Sequence, residues 1–197
     1  MNSYKKLCTE FYDIDKPAVP EAAFEFYSQY ARRTKGPILE PMCGSGRFLL
    51  PFMELGFSID GVDASSEMLQ ACRNKADDRG LSPKLYKQFL HQLELPGFYN
   101  LVMIPAGSFS LITDPIEIKE SIRRLFEHLN PGGILVLEIE QLINLAPPPD
   151  MSRGERFVNR TDGGKIVYKW FSQYNSTERV SHSLHRYELI KDEQLSE

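Results

Sequence analysis

Cysteine is scarce in this chain. Cys8, Cys43 and Cys72 are odd in number, far apart and without a CxxC pair, which leaves neither a disulfide framework nor a zinc site. Free thiols and a cytosolic setting are the expectation. No segment approaches the roughly 18 to 20 uninterrupted apolar residues of a membrane helix. The opening MNSYKKLCTEFYD has two lysines but no apolar stretch behind them, so it does not read as a secretory signal. Positive charge is not in excess either: Lys plus Arg is 23 against 27 Asp plus Glu, a net charge of −4, so no global field is available to hold a phosphate backbone. Nucleic acid is therefore a disfavoured partner. Internal repeats are lacking, and the longest low-complexity tract is three prolines, Pro147–Pro149.

What remains is an ordinary globular composition of 197 residues, 42% hydrophobic and 25% charged, enough for one domain with a real core. Pro20 followed by EAAFEFYSQYARR predicts a helix with proline in its first turn, stopped by Gly36-Pro37. Ile38-Leu39-Glu40 reads as a buried strand, Met42-Cys43-Gly44-Ser45-Gly46 as a small-residue turn, and Phe48 to Leu55 as a helix. The same grammar repeats: strand Phe57 to Val62, Asp63, a cap from Ser65 or Ser66, helix Glu67 to Asp78. Leu85 to Leu90, Leu101 to Pro105 and Ile134 to Ile139 are further apolar runs, and Ile118, Ile122, Leu125, Phe126 and Leu129 mark one helix face between the last two.

Strands without polar alternation, separated by helices, require a sheet covered on both faces, so residues 37 to 140 read as a doubly wound, mostly parallel α/β sheet. After the prolines, Arg156 to Thr161, Lys165 to Tyr174 and Arg179 to Ile190 are joined by Asp162-Gly163 and Asn175-Ser176-Thr177 and predict an antiparallel β-meander. The organisation expected is a single domain: a helical segment over 1–35, an α/β core over 36–145 and a β extension over 146–197.

In open α/β sheets ligands bind beyond the carboxyl ends of the strands. That directs attention to Glu40-Pro41-Met42-Cys43-Gly44-Ser45-Gly46, where the third glycine of a dinucleotide fingerprint is replaced by Leu49, and to Asp63, 19 residues after Gly44. A carboxylate there suits both hydroxyls of a ribose, while a role as helix cap competes for it.

These residues resemble the class I S-adenosylmethionine-dependent methyltransferase family. The resemblance covers roughly residues 36 to 140 and rests on three ordered motifs: Ile38 to Arg47, Ile59 to Leu69, and Leu129-Asn130-Pro131-Gly132-Gly133-Ile134-Leu135. It implies S-adenosylmethionine as cofactor and S-adenosylhomocysteine as product. By the same resemblance Asp63 binds the ribose and the loop of Met42, Cys43, Gly44 and Gly46 wraps the methionine end. Glu40 orients the ammonium group, Ala64 and Met68 pack on adenine, and Ile104 lies beside the methionine moiety.

The family often has glycine at the place of Met42 and an acidic residue at that of Phe89, so Gln88 or the backbone around Phe89 and Leu90 must serve the adenine. Asn100 replaces another frequent aspartate. After Tyr187 the family's closing turn is missing, so either the meander closes the sheet or an edge strand is lacking.

No catalytic base can be named: His91, Tyr12 and Ser108 are all candidates, and methyl transfer to an already nucleophilic acceptor needs none. Cys43 has no Cys–His pattern and reads as a small turn residue. His182 and His185, three apart on a strand, face opposite ways and share no metal. Tyr168, Trp170 and Tyr174 share a face, for packing or for a substrate pocket. Phe11-Tyr12 is either a lid over the cofactor or an anchor for the first helix. The exit Ile104-Pro105-Ala106-Gly107-Ser108-Phe109 carries neither the Asn/Asp-Pro-Pro-aromatic motif nor the Pro-Cys motif of DNA methyltransferases, which with the acidic balance argues for a small-molecule or a protein substrate, the small molecule being the first hypothesis. A non-catalytic S-adenosylmethionine- or nucleoside-binding module is the main alternative, and a nicotinamide-dependent oxidoreductase a weaker one.

Overall fold

The computed structural model describes residues 4–139, 151–192 and 194–197. The proline tract read as a break at 146–149 lies outside them. The chain forms two compact units, Met1–Lys5 with Ala18–Glu140, and Lys6–Pro17 with Gln141–Glu197. In chain order the elements are α1 (Lys6–Asp15), α2 (Glu21–Thr34), β1 (Ile38–Pro41), α3 (Leu49–Glu54), β2 (Ile59–Asp63), α4 (Ser66–Asp78), β3 (Lys84–Lys87), β4 (Tyr99–Ile104), α5 (Pro115–Glu127) and β5 (Leu129–Leu137). They are followed by β6 (Met151–Asn159), β7 (Lys165–Asn175), β8 (Val180–Lys191) and β9 (Gln194–Leu195).

In the first unit the sheet order is β3-β2-β1-β4-β5, with every pairing parallel. Strand order reverses between β1 and β4, so the crevice at the carboxyl end of β1 is the topological switch point. One buried cluster joins α2, α3 and α4 to the sheet through Tyr27, Ala31, Ile38, Phe52, Leu69 and Leu101. A second gathers Leu39, Val62, Leu93, Val102, Ile104 and Leu125. The near absence of polar residues in β1 and β4 follows: Ile38, Leu39, Leu101, Val102, Met103 and Ile104 are all fully buried.

Local chemistry sets the element ends. Ser65 is the N-cap of α4, its hydroxyl accepting from the Met68 N–H at 3.1 Å. Asp114 caps α5 by accepting from the Ile116 and Glu117 amides, with Pro115 behind it. Pro20 stands one residue before α2, at the N-cap, rather than inside its first turn. The stop after α2 is made by Lys35 in the left-handed region (φ 44°); Gly36 serves close approach instead, since a Cβ there would lie 2.3 Å from Asn100 Cγ. Asn100 has its own use, donating to Thr34 O at 3.2 Å and accepting from Asn130 Nδ2 at 2.8 Å, which ties α2, β4 and β5 together.

Two expected strands differ. The apolar run from Leu85 yields only Lys84–Lys87 as strand and then a short 3-10 turn, Leu90–Gln92. The fifth strand begins earlier, at Leu129, but its ladder skips Asn130–Gly133: Tyr99 pairs with Leu129 and Leu101 with Ile134. The turn residues are looped out of the register.

The second unit is a four-stranded antiparallel sheet, β6-β7-β8-β9, one short strand more than the sequence suggested. Among the described residues it shares no ladder with the parallel sheet. The chain's last residues supply β9, pairing Ile190 with Leu195. Phe11 belongs to the second unit. It lies in α1, packed with Leu7 on Ile166, Val158 and Leu189, its ring centroid 5.3 Å from that of Tyr168 and 5.6 Å from that of Tyr187. Residues 1–35 thus supply one helix to each unit. Tyr168 and Trp170 stack at 5.4 Å, and Trp170 also lines a depression of about 500 Å³ with Lys169, Phe171 and Leu184. His185 bonds the Tyr168 hydroxyl at 3.0 Å, while His182 lies on the other face of β8 near Glu178. Among the described residues no group of His, Cys, Asp and Glu could hold a metal, and no helix is long and apolar enough to cross a membrane.

Candidate active site

Beyond β1 the chain must turn sharply into α3, and it does so through three left-handed residues, Met42 (φ 59°), Gly44 (φ 56°) and Gly46 (φ 81°). Met42 therefore holds the conformation that glycine would adopt there freely. The glycines differ in their surroundings. A Cβ on Gly44 would meet only Met68 Sδ, at 3.9 Å, whereas one on Gly46 would lie 2.6 Å from Cys72 Sγ and 3.0 Å from Leu50 Cγ. Gly46 lets α4 and the loop touch; Gly44 leaves open space.

Asp63, at the end of β2, braces this loop. Its Oδ2 accepts from the Gly44 N–H at 2.9 Å and its Oδ1 from the Ser65 N–H at 2.8 Å. Helix capping falls to Ser65, so the competing role for Asp63 is a different one, a clamp between two loops. Burial pushes the Asp63 carboxyl above its ordinary range, opposed by the amides of Ser65, Gly44 and Ala64. A carboxylate offers about four lone-pair sites, so each oxygen keeps acceptor capacity after one amide bond.

Glu40 is buried beside the loop at the end of β1. Burial holds its carboxyl well above the usual carboxylate range, against the pull of the Arg47 cation and of the Leu49 N–H, and with Asp63 adding to the rise. Its Oε2 has no hydrogen-bond partner among the described residues. Cys43 is buried and its thiol is pushed well up by burial and by the Glu40 and Asp63 carboxylates, the reverse of an activated nucleophile.

A depression of about 180 Å³ lies beside Asp63, lined by Ala64, Lys87, Gln88, Phe89 and Gln92. The Gln88 side chain is committed elsewhere: its amide donates to Glu94 O at 2.9 Å and accepts from the Glu94 N–H at 2.8 Å, closing the loop that follows β3. Phe89 is exposed and stacked on His91, centroids 5.7 Å apart. Met68 is buried, its sulfur facing the Gly44 side of the loop. Leu90 and Ile104 belong to the second core cluster, so their side chains serve packing. Of the candidate bases, the Ser108 hydroxyl donates to Pro105 O at 3.1 Å, His91 lies 3.8 Å from Glu117, and Tyr12 belongs to the other unit.

The sequence reading missed four residues here. Lys87 and Gln92 line the depression without carrying any motif. Tyr27 of α2 is buried, its hydroxyl pushed up to about 12 by burial and by the Glu138 and Glu40 carboxylates. Glu138, just past β5, accepts from the Ala106 N–H at 3.2 Å; its place at a strand's carboxyl end was the available signal.

Residues 38–133 match the model of the family described as "Methyltransferase domain". The chain is 30% identical over 148 residues to "Putative methyltransferase YqeM" of Bacillus subtilis (strain 168), covering 73% of this chain and 56% of that one. The chain spans about half the length of the curated relatives it matches. Among solved structures, DesVI of Streptomyces venezuelae superposes with a TM-score of 0.69 at 19% identity, over 94% of this chain and 84% of that one. The glycopeptide N-methyltransferase MtfA, solved with S-adenosylmethionine, gives 0.54 at 21% identity over 83% and 76%. These structures share the fold. With its switch-point loop, its braced carboxylate and the match over 38–133, the chain belongs, through its α/β unit, to the class I S-adenosylmethionine-dependent methyltransferase family.

Proposed function

We propose that the protein is an S-adenosylmethionine-dependent methyltransferase acting on a small-molecule acceptor, in the cytosol and without nucleic acid. The observation that carries this reading is Asp63, a carboxylate at the end of β2 bracing the switch-point loop, whose two oxygens each take one backbone amide and keep capacity for two ribose hydroxyls. The unpartnered Glu40 Oε2 is a second sign of fit, because a buried acceptor of this kind is satisfied by a ligand ammonium.

On this reading Asp63 holds the ribose, and the open side of Gly44 admits the methionine end past Met42, Cys43 and Gly46. Glu40 takes the ammonium, while Ala64 and Met68 wall the adenine. With the Gln88 amide committed to Glu94, polar contact with the base falls to the backbone at Phe89 and Leu90. Bound S-adenosylmethionine supplies an electrophilic methyl on sulfur; the chain's task is to align it with the acceptor and keep water out.

Calorimetry with S-adenosylmethionine, S-adenosylhomocysteine and NAD on the wild type and on Asp63→Asn tests this. Binding of the two sulfur ligands, weakened about 10- to 100-fold in the variant by loss of charge-assisted bonds, is the expected result. NAD binding in their place overturns it, as does their equal binding to both proteins. Turnover of small amines and hydroxyl compounds then separates an enzyme from a binding module, which takes up the sulfur ligands and converts nothing.

A further inference from the structure

We infer that β6 is a pairing edge for a second copy of this chain, joined antiparallel about Gly154. Among the described residues, β6 bonds only to β7, through all nine residues from Met151 to Asn159, so its other edge has no strand against it. Such an edge invites pairing unless something blocks it. Blocking devices are proline, an unpaired inward charge or a run of like charge; the one charge on the α1 side, Arg156, is paired with Asp15 at 3.1 Å and lies over the Phe11 ring. This strand, Met-Ser-Arg-Gly-Glu-Arg-Phe-Val-Asn, has no proline, and its charges alternate in sign around a glycine.

The register of a symmetric pair is decided by those charges. A two-fold axis normal to the sheet places a residue opposite its own copy. Centred on Arg153, Glu155 or Arg156, the pairing sets like charge against like. Centred on Gly154, it sets Arg153 against Glu155 in both directions and Met151 against Phe157 in both directions, and all four positions lie on one face of the sheet.

Side-chain availability agrees with that register. Met151 is 63% exposed and Phe157 59% exposed, two large apolar groups at the surface whose burial by a second copy is favourable. Neither Arg153 nor Glu155 is in an ion pair among the described residues, whereas nearby Lys169 and Arg186 are both spent on Glu188. Gly154 itself is fixed by another demand, because a Cβ there would lie 2.3 Å from Trp170 Cζ2. The Trp170 ring covers Gly154 on one face of the sheet, and the Met151, Arg153, Glu155 and Phe157 side chains lie on the other. The partner is a second copy because the recognising pattern is its own complement. The pair would make one eight-stranded sheet from two meanders.

The test is sedimentation equilibrium over a concentration series on the full chain, with circular dichroism as a check of folding. Wild type should dimerise. Arg153→Glu and Glu155→Arg should each weaken the dimer about tenfold or more, because each replaces two attractive cross-strand pairs by two repulsive ones. The double exchange Arg153→Glu/Glu155→Arg restores opposite charges across the axis and should restore the dimer. A wild-type protein that stays monomeric overturns the proposal. So does a dimer indifferent to the single changes, and so does a double exchange that fails to recover it.

Discussion

Gly44 and Gly46 are two residues apart in one loop, both left-handed, and alanine substitution should separate them sharply. At either position an alanine must hold a positive φ, which costs about 1–2 kcal/mol. At Gly44 that is the whole penalty, because the nearest atom to the new Cβ is Met68 Sδ at 3.9 Å, an ordinary contact. At Gly46 the Cβ would stand 2.6 Å from Cys72 Sγ and 3.0 Å from Leu50 Cγ, both on fully buried residues, which adds about 1–3 kcal/mol of overpacking. Gly46→Ala should then lose about 2–5 kcal/mol against about 1–2 kcal/mol for Gly44→Ala. Urea unfolding followed by helical ellipticity reads the difference, since among the described residues four of the five α-helices lie in the first unit. Trp170, the single tryptophan, reports the meander separately. Adding Cys72→Ala to Gly46→Ala removes the closest clash and should recover about 1 kcal/mol beyond additivity. Equal losses at the two glycines, or strict additivity with Cys72→Ala, would show that the loop relaxes and that close packing of α4 is not what requires Gly46.

Three further outcomes can be checked directly. Glu40 and Asp63 both bind their protons more tightly in the folded state than in the unfolded chain, chiefly through burial, so stability should decline as pH rises above the ordinary value of 4.5 for Glu40. Glu40→Gln should flatten that decline, and parallel thermal-midpoint curves for variant and wild type between about pH 5 and pH 8 would refute the burial argument. Ser65→Ala removes the α4 cap and the 2.7 Å bond to Tyr4 O and should cost about 1–2 kcal/mol, measured by the denaturant midpoint. Gly154→Ala should displace the Trp170 ring and shift its fluorescence, and an unchanged emission spectrum would count against the 2.3 Å approach.

Much of the parallel sheet was legible because its rules are local. Apolar strands ending in Pro41 and Asp63, a glycine turn, and the Ser65 cap each announce themselves within a few residues. The hairpin at Asp162-Gly163 is equally local, and Gly163 does adopt a positive φ of 85°. What escaped is non-local. Leu7 and Phe11 are one helical turn apart and mark a face, but the residues that receive them, Ile166, Tyr168 and Tyr187, come more than 150 positions later. Nothing in α1 says which unit it joins. Likewise the Gln88 amide closes on the backbone of Glu94, a choice that depends on the loop's return path and carries no motif.

Asp63 shows why site residues were easier to locate than to interpret. Its position predicted either a ribose acceptor or a helix cap, as if the two were exclusive. The cap is Ser65, and Asp63 instead takes one amide from each of two loops. That arrangement fixes the Gly44 and Ser65 backbones before any ligand arrives, so the ordering cost of the loop is met in folding rather than on binding. These amide bonds stabilise the charged carboxylate and so oppose the rise in proton affinity that burial imposes. On the proposed reading these are one design: two hydroxyl donors would complete the coordination of a carboxylate that the fold has already aimed and partly desolvated. The clamp and the ribose site then make the same demand, a carboxylate with two oxygens, and Asp63→Asn should damage loop order and cofactor affinity together while leaving the meander's Trp170 signal unchanged.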